Sequence, residues 1–109
     1  MTTKPFNAQV GTASTSSSAI DVSTLTLMSS NLAIQVVTSG FNTADATIKV
    51  QHSLDNTNFD DIVDSTLVLA SGSGSQTLLL TNRMCDYYKI VFDKGTNSAG
   101  TFTVNLSFN

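Results

Sequence analysis

Thr101-Phe102-Thr103-Val104-Asn105-Leu106-Ser107-Phe108 alternates polar and apolar residues without a fault. A period of two puts Phe102, Val104, Leu106 and Phe108 on one side of a β-strand and the polar residues on the other. Full burial of each apolar side chain is worth roughly 1.5–3 kcal/mol, so this strand is expected to supply a major part of the core. A slip of one residue would turn that whole face to water, so the register is strongly specified.

The same period recurs upstream. Tyr87-Tyr88-Lys89-Ile90-Val91-Phe92 places Tyr88, Ile90 and Phe92 on one face, and Leu32-Ala33-Ile34-Gln35-Val36-Val37-Thr38 does the same with Leu32, Ile34 and Val36. Thr47-Ile48-Lys49-Val50-Gln51-His52-Ser53 aligns Ile48, Val50 and His52. Further strands are expected at Ala19-Ile20-Asp21-Val22, Leu25-Thr26-Leu27, Thr66-Leu67-Val68-Leu69 and Gln76-Thr77-Leu78-Leu79-Leu80. Between them, Ser29-Ser30-Asn31, Asn82-Arg83 and residues 93–100 read as turns, residues 39–45 as a loop carrying Phe41, and Gly72-Ser73-Gly74-Ser75 as a flexible loop. No window has the 3.6-residue period of a capped amphipathic helix. Strands at regular spacing, separated by turn residues, predict an all-β, antiparallel β-sandwich of a jelly-roll-like kind, with roughly seven to nine strands.

Composition agrees. The chain has 109 residues, the size of one domain, and only 12% are charged, about half the usual share. Polarity comes from 15 Ser and 16 Thr instead; Thr suits pleated sheet and Ser suits turns. The net charge is −3, and the five basic residues Lys4, Lys49, Arg83, Lys89 and Lys94 are scattered. Such a set cannot form the phosphate-neutralising stripe that nucleic-acid binding requires, so no nucleic-acid partner is expected. No segment approaches the roughly 20 apolar residues of a membrane helix, and no membrane partner is expected. Met1-Thr2-Thr3-Lys4-Pro5-Phe6 has no apolar stretch behind it, so no signal peptide is expected. Cys85 is the single cysteine, which excludes an intramolecular disulfide and suits folding in a reducing cytosol.

Residues 1–18 stand apart. Gly11-Thr12-Ala13-Ser14-Thr15-Ser16-Ser17-Ser18 is of low complexity and offers no apolar face to bury. Residues 1–18 are therefore read as an extended polar N-terminal arm and residues 19–109 as a single β-sandwich domain. Lys4, Pro5 and Phe6, near the tip of the arm, are the expected protein-interaction residues; strand addition would let such an arm engage a neighbour.

Ser53-Leu54-Asp55-Asn56-Thr57-Asn58-Phe59-Asp60-Asp61-Ile62, preceded by the strand from Thr47 and closed by the strands at Tyr87 and Thr101, resembles a recurring element of small tailed-phage virion structural proteins. The resemblance covers residues 32–108 and is one of pattern rather than identity. It implies a β-sandwich protein of the auxiliary capsid, decoration or head-fibre type, present in the virion as a homo-oligomer or in many copies and bound to capsid or other virion proteins. The same element is similar to the galactose-binding-like jelly rolls of discoidin-type domains. Those carry Asp-Gly and Trp where this chain has Asp55-Asn56 and Phe59, and the chain has no Trp.

Chemistry-bearing residues are few. Asp55, Asn56, Asn58, Asp60 and Asp61 form the one dense group of oxygen ligands, but the glycine and terminal glutamate of an EF-hand loop are missing. Asp and Asn are also what tight turns select, and the turn reading is preferred, with no metal or other cofactor expected. His52 is the only histidine and has neither a nucleophile elbow nor paired carboxylates to work with, so no catalytic residue is assigned. The expectation is a non-enzymatic virion structural protein; the alternative is a carbohydrate-binding or host-attachment module displayed on the virion.

Overall fold

A computed structural model describes residues 1–25, 31–81 and 85–109. It contains strands β1 (Thr2–Val10), β2 (Thr15–Ser16), β3 (Ile20–Asp21), β4 (Leu32–Phe41), β5 (Thr47–Ser53), β6 (Asp60–Asp61), β7 (Leu67–Val68), β8 (Gly72–Leu80), β9 (Tyr87–Asp93) and β10 (Thr101–Phe108). All pairings are antiparallel. They build two packed sheets, a β-sandwich. The front sheet runs β1-β10-β4-β8; in the back sheet β9 and β5 form the centre, flanked by β2 and β3 on one side and by β6 and β7 on the other.

The alternating stretches do what their period dictates. Phe102, Val104, Leu106 and Phe108 of β10 are buried, as are Leu32, Ile34 and Val36 of β4, and they face Ile48, Val50, Tyr88, Ile90 and Phe92 of the back sheet. The layers meet through rings: Phe92 stacks on Phe102 with centroids 4.2 Å apart, and Phe41 lies edge-on to both at 6.1 and 6.4 Å. Such pairs add about 0.5–1.5 kcal/mol each beyond the area they bury.

Four readings differ from the structure. Residues 72–75 form the first half of β8, because the β4 ladder supplies the order that Gly and Ser side chains cannot. Phe41 ends β4 and is buried; Gly40, at a φ of 73°, breaks the β4–β8 register and turns the ring inward. The N-terminal segment is held by its own chain, with β1 paired to β10 and β2 to β9, and Phe6 buried against Phe102 at 5.2 Å. At the end of β5 the alternation lapses: Ser53 is buried and His52 only half-buried. The expected strand at Leu25-Thr26-Leu27 and the turns at Ser29-Ser30-Asn31 and Asn82-Arg83 fall wholly or partly outside the described residues.

The serine-rich stretch is ordered by hydroxyls. Ser17 Oγ accepts the backbone N–H of Ile90 at 2.9 Å, and Ser14 Oγ accepts that of Lys94 at 3.0 Å. Across the sheet, Ser65 Oγ accepts the N–H of Val50 at 3.1 Å and donates back to its carbonyl at 3.2 Å. Val50 and Ile90 are direct partners in the β5–β9 ladder. Each outer edge of the back sheet is thus interrupted at the same level, and a buried serine replaces the missing strand.

One end of the sandwich is tied by Asn97, which is fully buried. Its amide donates to the carbonyls of Gly11 at 2.7 Å and Ala99 at 2.8 Å, and its Oδ1 accepts the N–H of Asn42 at 2.9 Å. Gly100 follows at a φ of 87°, where a side chain would run into the Ser39 carbonyl. Asn97→Ala removes hydrogen bonds to three backbone groups, the Gly11 carbonyl buried among them, and is expected to cost about 1–3 kcal/mol, read as a lower urea midpoint at unchanged slope.

Candidate functional site

Two regions bear on function: the acidic hairpin after β5 and the outer surface of the front sheet. In the hairpin, Ser53 Oγ accepts the N–H groups of Asp55 and Asn56 at 3.2 and 3.0 Å and donates to Asp55 Oδ1 at 2.9 Å. Asp55 Oδ1 also accepts the N–H groups of Thr57 and Asn58 at 2.9 and 2.8 Å, while Oδ2 accepts the Asn58 amide at 2.7 Å. Asn56 takes a positive φ of 60°, which Asn tolerates better than most residues. The Asn58 N–H first, then the Thr57 N–H, the Asn58 amide and the Ser53 hydroxyl hold the Asp55 carboxyl well below the usual carboxylate range. The Asp55 carboxylate, one of the groups that sequence offered as a metal ligand, therefore closes a turn.

Asp61 is engaged in the same manner. Its carboxylate accepts Gln51 Nε2 at 2.9 Å and Lys49 Nζ at 3.1 Å, and these two contacts lower its pKa. The Lys49–Asp61 pair is exposed and adds little stability. Among the described residues, no group of three or more His, Cys, Asp or Glu side chains is placed to hold a metal ion.

An open groove beside the hairpin is lined by His52, Leu54, Asp55, Asn58, Asp60 and Cys85. His52 and Asp60 are cross-strand neighbours in the β5–β6 pair. Phe59, the aromatic nearest in sequence, carries the Lys89 ammonium 4.4 Å from its ring centroid. One face of that ring is thus occupied. Tyr88, fully buried, accepts the Cys85 N–H at 2.6 Å, and burial pushes its phenol pKa up.

Of the three residues expected to contact a neighbour, Lys4 is exposed, Pro5 half-buried and Phe6 part of the core. All three lie on β1, a front-sheet edge whose pairing with β10 is broken twice.

The front sheet has a property that periodicity did not bring out. No residue of β4, β8 or β10 is ionisable. Their outward row reads Ala33, Gln35, Val37 and Ser39 on β4, Thr101, Thr103, Asn105 and Ser107 on β10, and Ser73, Ser75, Thr77 and Leu79 on β8. Val37 is 39% exposed and Leu79 70%. The charges gather elsewhere, with Lys49, Asp60, Asp61, Lys89 and Asp93 all on the back sheet. Counting ionisable residues strand by strand would have found this partition from sequence, once the strands were in place.

The chain matches no protein-family model and no curated protein sequence.

The hairpin has a consequence for pH. A carboxyl whose folded-state pKa is depressed stabilises the fold above the unfolded value of about 3.9, and that contribution is lost as pH falls toward the folded value. Asp55, Asp45, Asp61 and Asp21 all act in this direction. The melting temperature is expected to fall below about pH 4, and Asp55→Asn to flatten part of that decline. Thermal melts of both proteins between about pH 2 and 5 measure it.

Proposed function

We propose that this chain is a non-enzymatic structural subunit of a tailed-phage virion, an auxiliary or decoration protein that binds capsid or neighbouring particle proteins. The observation that carries the reading is the absence of ionisable residues from the three adjacent front-sheet strands β10, β4 and β8, while the back sheet carries Lys and Asp side chains. Cores of protein interfaces are depleted of charged residues, and a sheet face of small uncharged side chains allows another surface to come close. The back sheet, with its Lys and Asp side chains, keeps the free subunit soluble.

Two further supports are weaker. The stretch Ser53-Leu54-Asp55-Asn56-Thr57-Asn58-Phe59-Asp60-Asp61-Ile62 after β5 resembles the recurring element of small tailed-phage virion proteins. The strand orders β1-β10-β4-β8 and, with β2/β3 and β6/β7 as flanks, β2/β3-β9-β5-β6/β7 favour a jelly-roll winding. Viral capsid proteins use that winding, as do lectins, so this support is fold-level analogy. A glycan-binding module is the less favoured reading, because sugar stacking wants an open aromatic face and Lys89 covers one face of Phe59.

Quantitative mass spectrometry of purified particles of the encoding phage is expected to find the protein in many copies per particle. Its absence from the particles overturns the proposal. A few copies per particle, together with binding on a glycan array, assigns it to host attachment instead.

A further inference from the structure

The two sheets have four outer edges, and three of them are blunted. Those of the back sheet consist of two-residue strands, β2 and β3 on one side and β6 and β7 on the other, each interrupted by a serine. The β1 edge of the front sheet carries Lys4 and Pro5, two register breaks, and Ala8 at a φ of 50°. Short strands, Lys, Pro and bulges are the devices by which sheet edges avoid further pairing.

β8 is long and has neither Lys nor Pro, and its one register break lies at its first residues, between Gly72 and Gly74. It pairs with β4 in unbroken register from Leu80↔Leu32 to Gly74↔Thr38, and among the described residues β4 is the only strand that pairs with it. Its nine residues contain no Pro and no charge, and they present about 30 Å of open main-chain donors and acceptors.

We infer that β8 is the docking edge for a second copy of this chain, the two β8 strands pairing antiparallel about a two-fold axis to join two front sheets into one. The inference deepens the structural-subunit reading, on which it rests for taking protein contact as the role of the front sheet. Main-chain groups on an open edge call for a strand as occupant. Charge selects which strand. An isologous contact sets one surface against a second copy of itself, so a patch of a single charge sign faces that same sign. Like charges directly opposite are destabilising, and β8, β4 and β10 carry none. A neutral edge gives a foreign partner no potential to read, whereas it suits self-pairing. Full overlap centres the axis on Gln76, placing Thr77 opposite the partner's Ser75 and Leu79 opposite the partner's Ser73. Leu79 then gains cover on the outer face.

Sedimentation velocity of the full chain across a concentration series tests this. The wild type is expected to reach twice its 11.5 kDa mass. Thr77→Lys, an exposed position, brings two ammonium groups together across the axis and is expected to raise the dissociation constant about fivefold or more with an unchanged melting temperature. Leu79→Lys serves as a second variant should the first disturb folding. Val68→Lys, exposed on the back sheet, is expected to leave the dimer intact. A wild type that stays monomeric into the millimolar range overturns the inference, as does a dimer indifferent to both β8 lysines. A monomer found in particles would sink the edge pairing and spare the structural reading; a β8-dependent dimer absent from particles would do the reverse.

Discussion

Backbone N–H and C=O groups cannot be buried without partners, and at Val50 and Ile90 two serine hydroxyls accept the N–H groups. The carbonyls of these two residues take the backbone N–H groups of Ile62 and Ser17 and, at Val50, the Ser65 hydroxyl as well. The two residues face each other at the centre of the β5–β9 ladder, with Ser65 on the outer side of one and Ser17 on the outer side of the other. At those points the flanking chain leaves the sheet, between β6 and β7 on one side and between β2 and β3 on the other. The hydroxyls let the flanking strands be very short while the central pair keeps its hydrogen bonds. The back sheet is closed by this arrangement. Open hydrogen-bonding capacity is thereby moved to the front sheet, where β1 is broken twice and β8 runs in regular register from Gly74 to Leu80.

Polar side chains likewise hold the loops. Asn97 ties Gly11, Asn42 and Ala99 together, and next to it Asp45 accepts the hydroxyls of Thr43 and Thr96, both at 2.7 Å. Asp55 does the same within its own hairpin. These carboxylates lie where a binding loop would be sought from sequence, yet their lone pairs already have partners inside the fold. Acidic residues serve here as turn and loop fasteners, which is why crowding of Asp and Asn marks architecture more than chemistry.

Legibility in the sequence followed the apolar period closely. β10 was readable to its bounds, and the core faces of β4 and β9 were readable from Leu32, Ile34 and Val36 and from Tyr88, Ile90 and Phe92, because burial on one face imposes alternation. Where order comes from other sources the pattern is silent. Residues 72–75 have no side chains to bury and are ordered by a ladder whose partner lies far away in sequence. Residues 14–17 are fixed by the short β2–β9 ladder and by the hydroxyls of Ser14 and Ser17, in a stretch that reads as low complexity. The Asp55 turn was legible from its composition. The neutral front surface was not, since it is a property of three strands that only topology brings side by side.

β8 combines two kinds of segment. Leu78 and Leu80 turn inward and set its register against Ile34 and Leu32, so the C-terminal half is specified by the core. Residues 72–75 contribute little but main chain, and Gly in a strand permits another backbone to come near. The strand is therefore anchored at one end and adaptable at the other. An edge fixed along its whole length would accept only a partner of matching twist. One with an adaptable half can adjust its twist as pairing spreads from the anchored leucines, while the uncharged row beside it removes the repulsion that would keep two such edges apart.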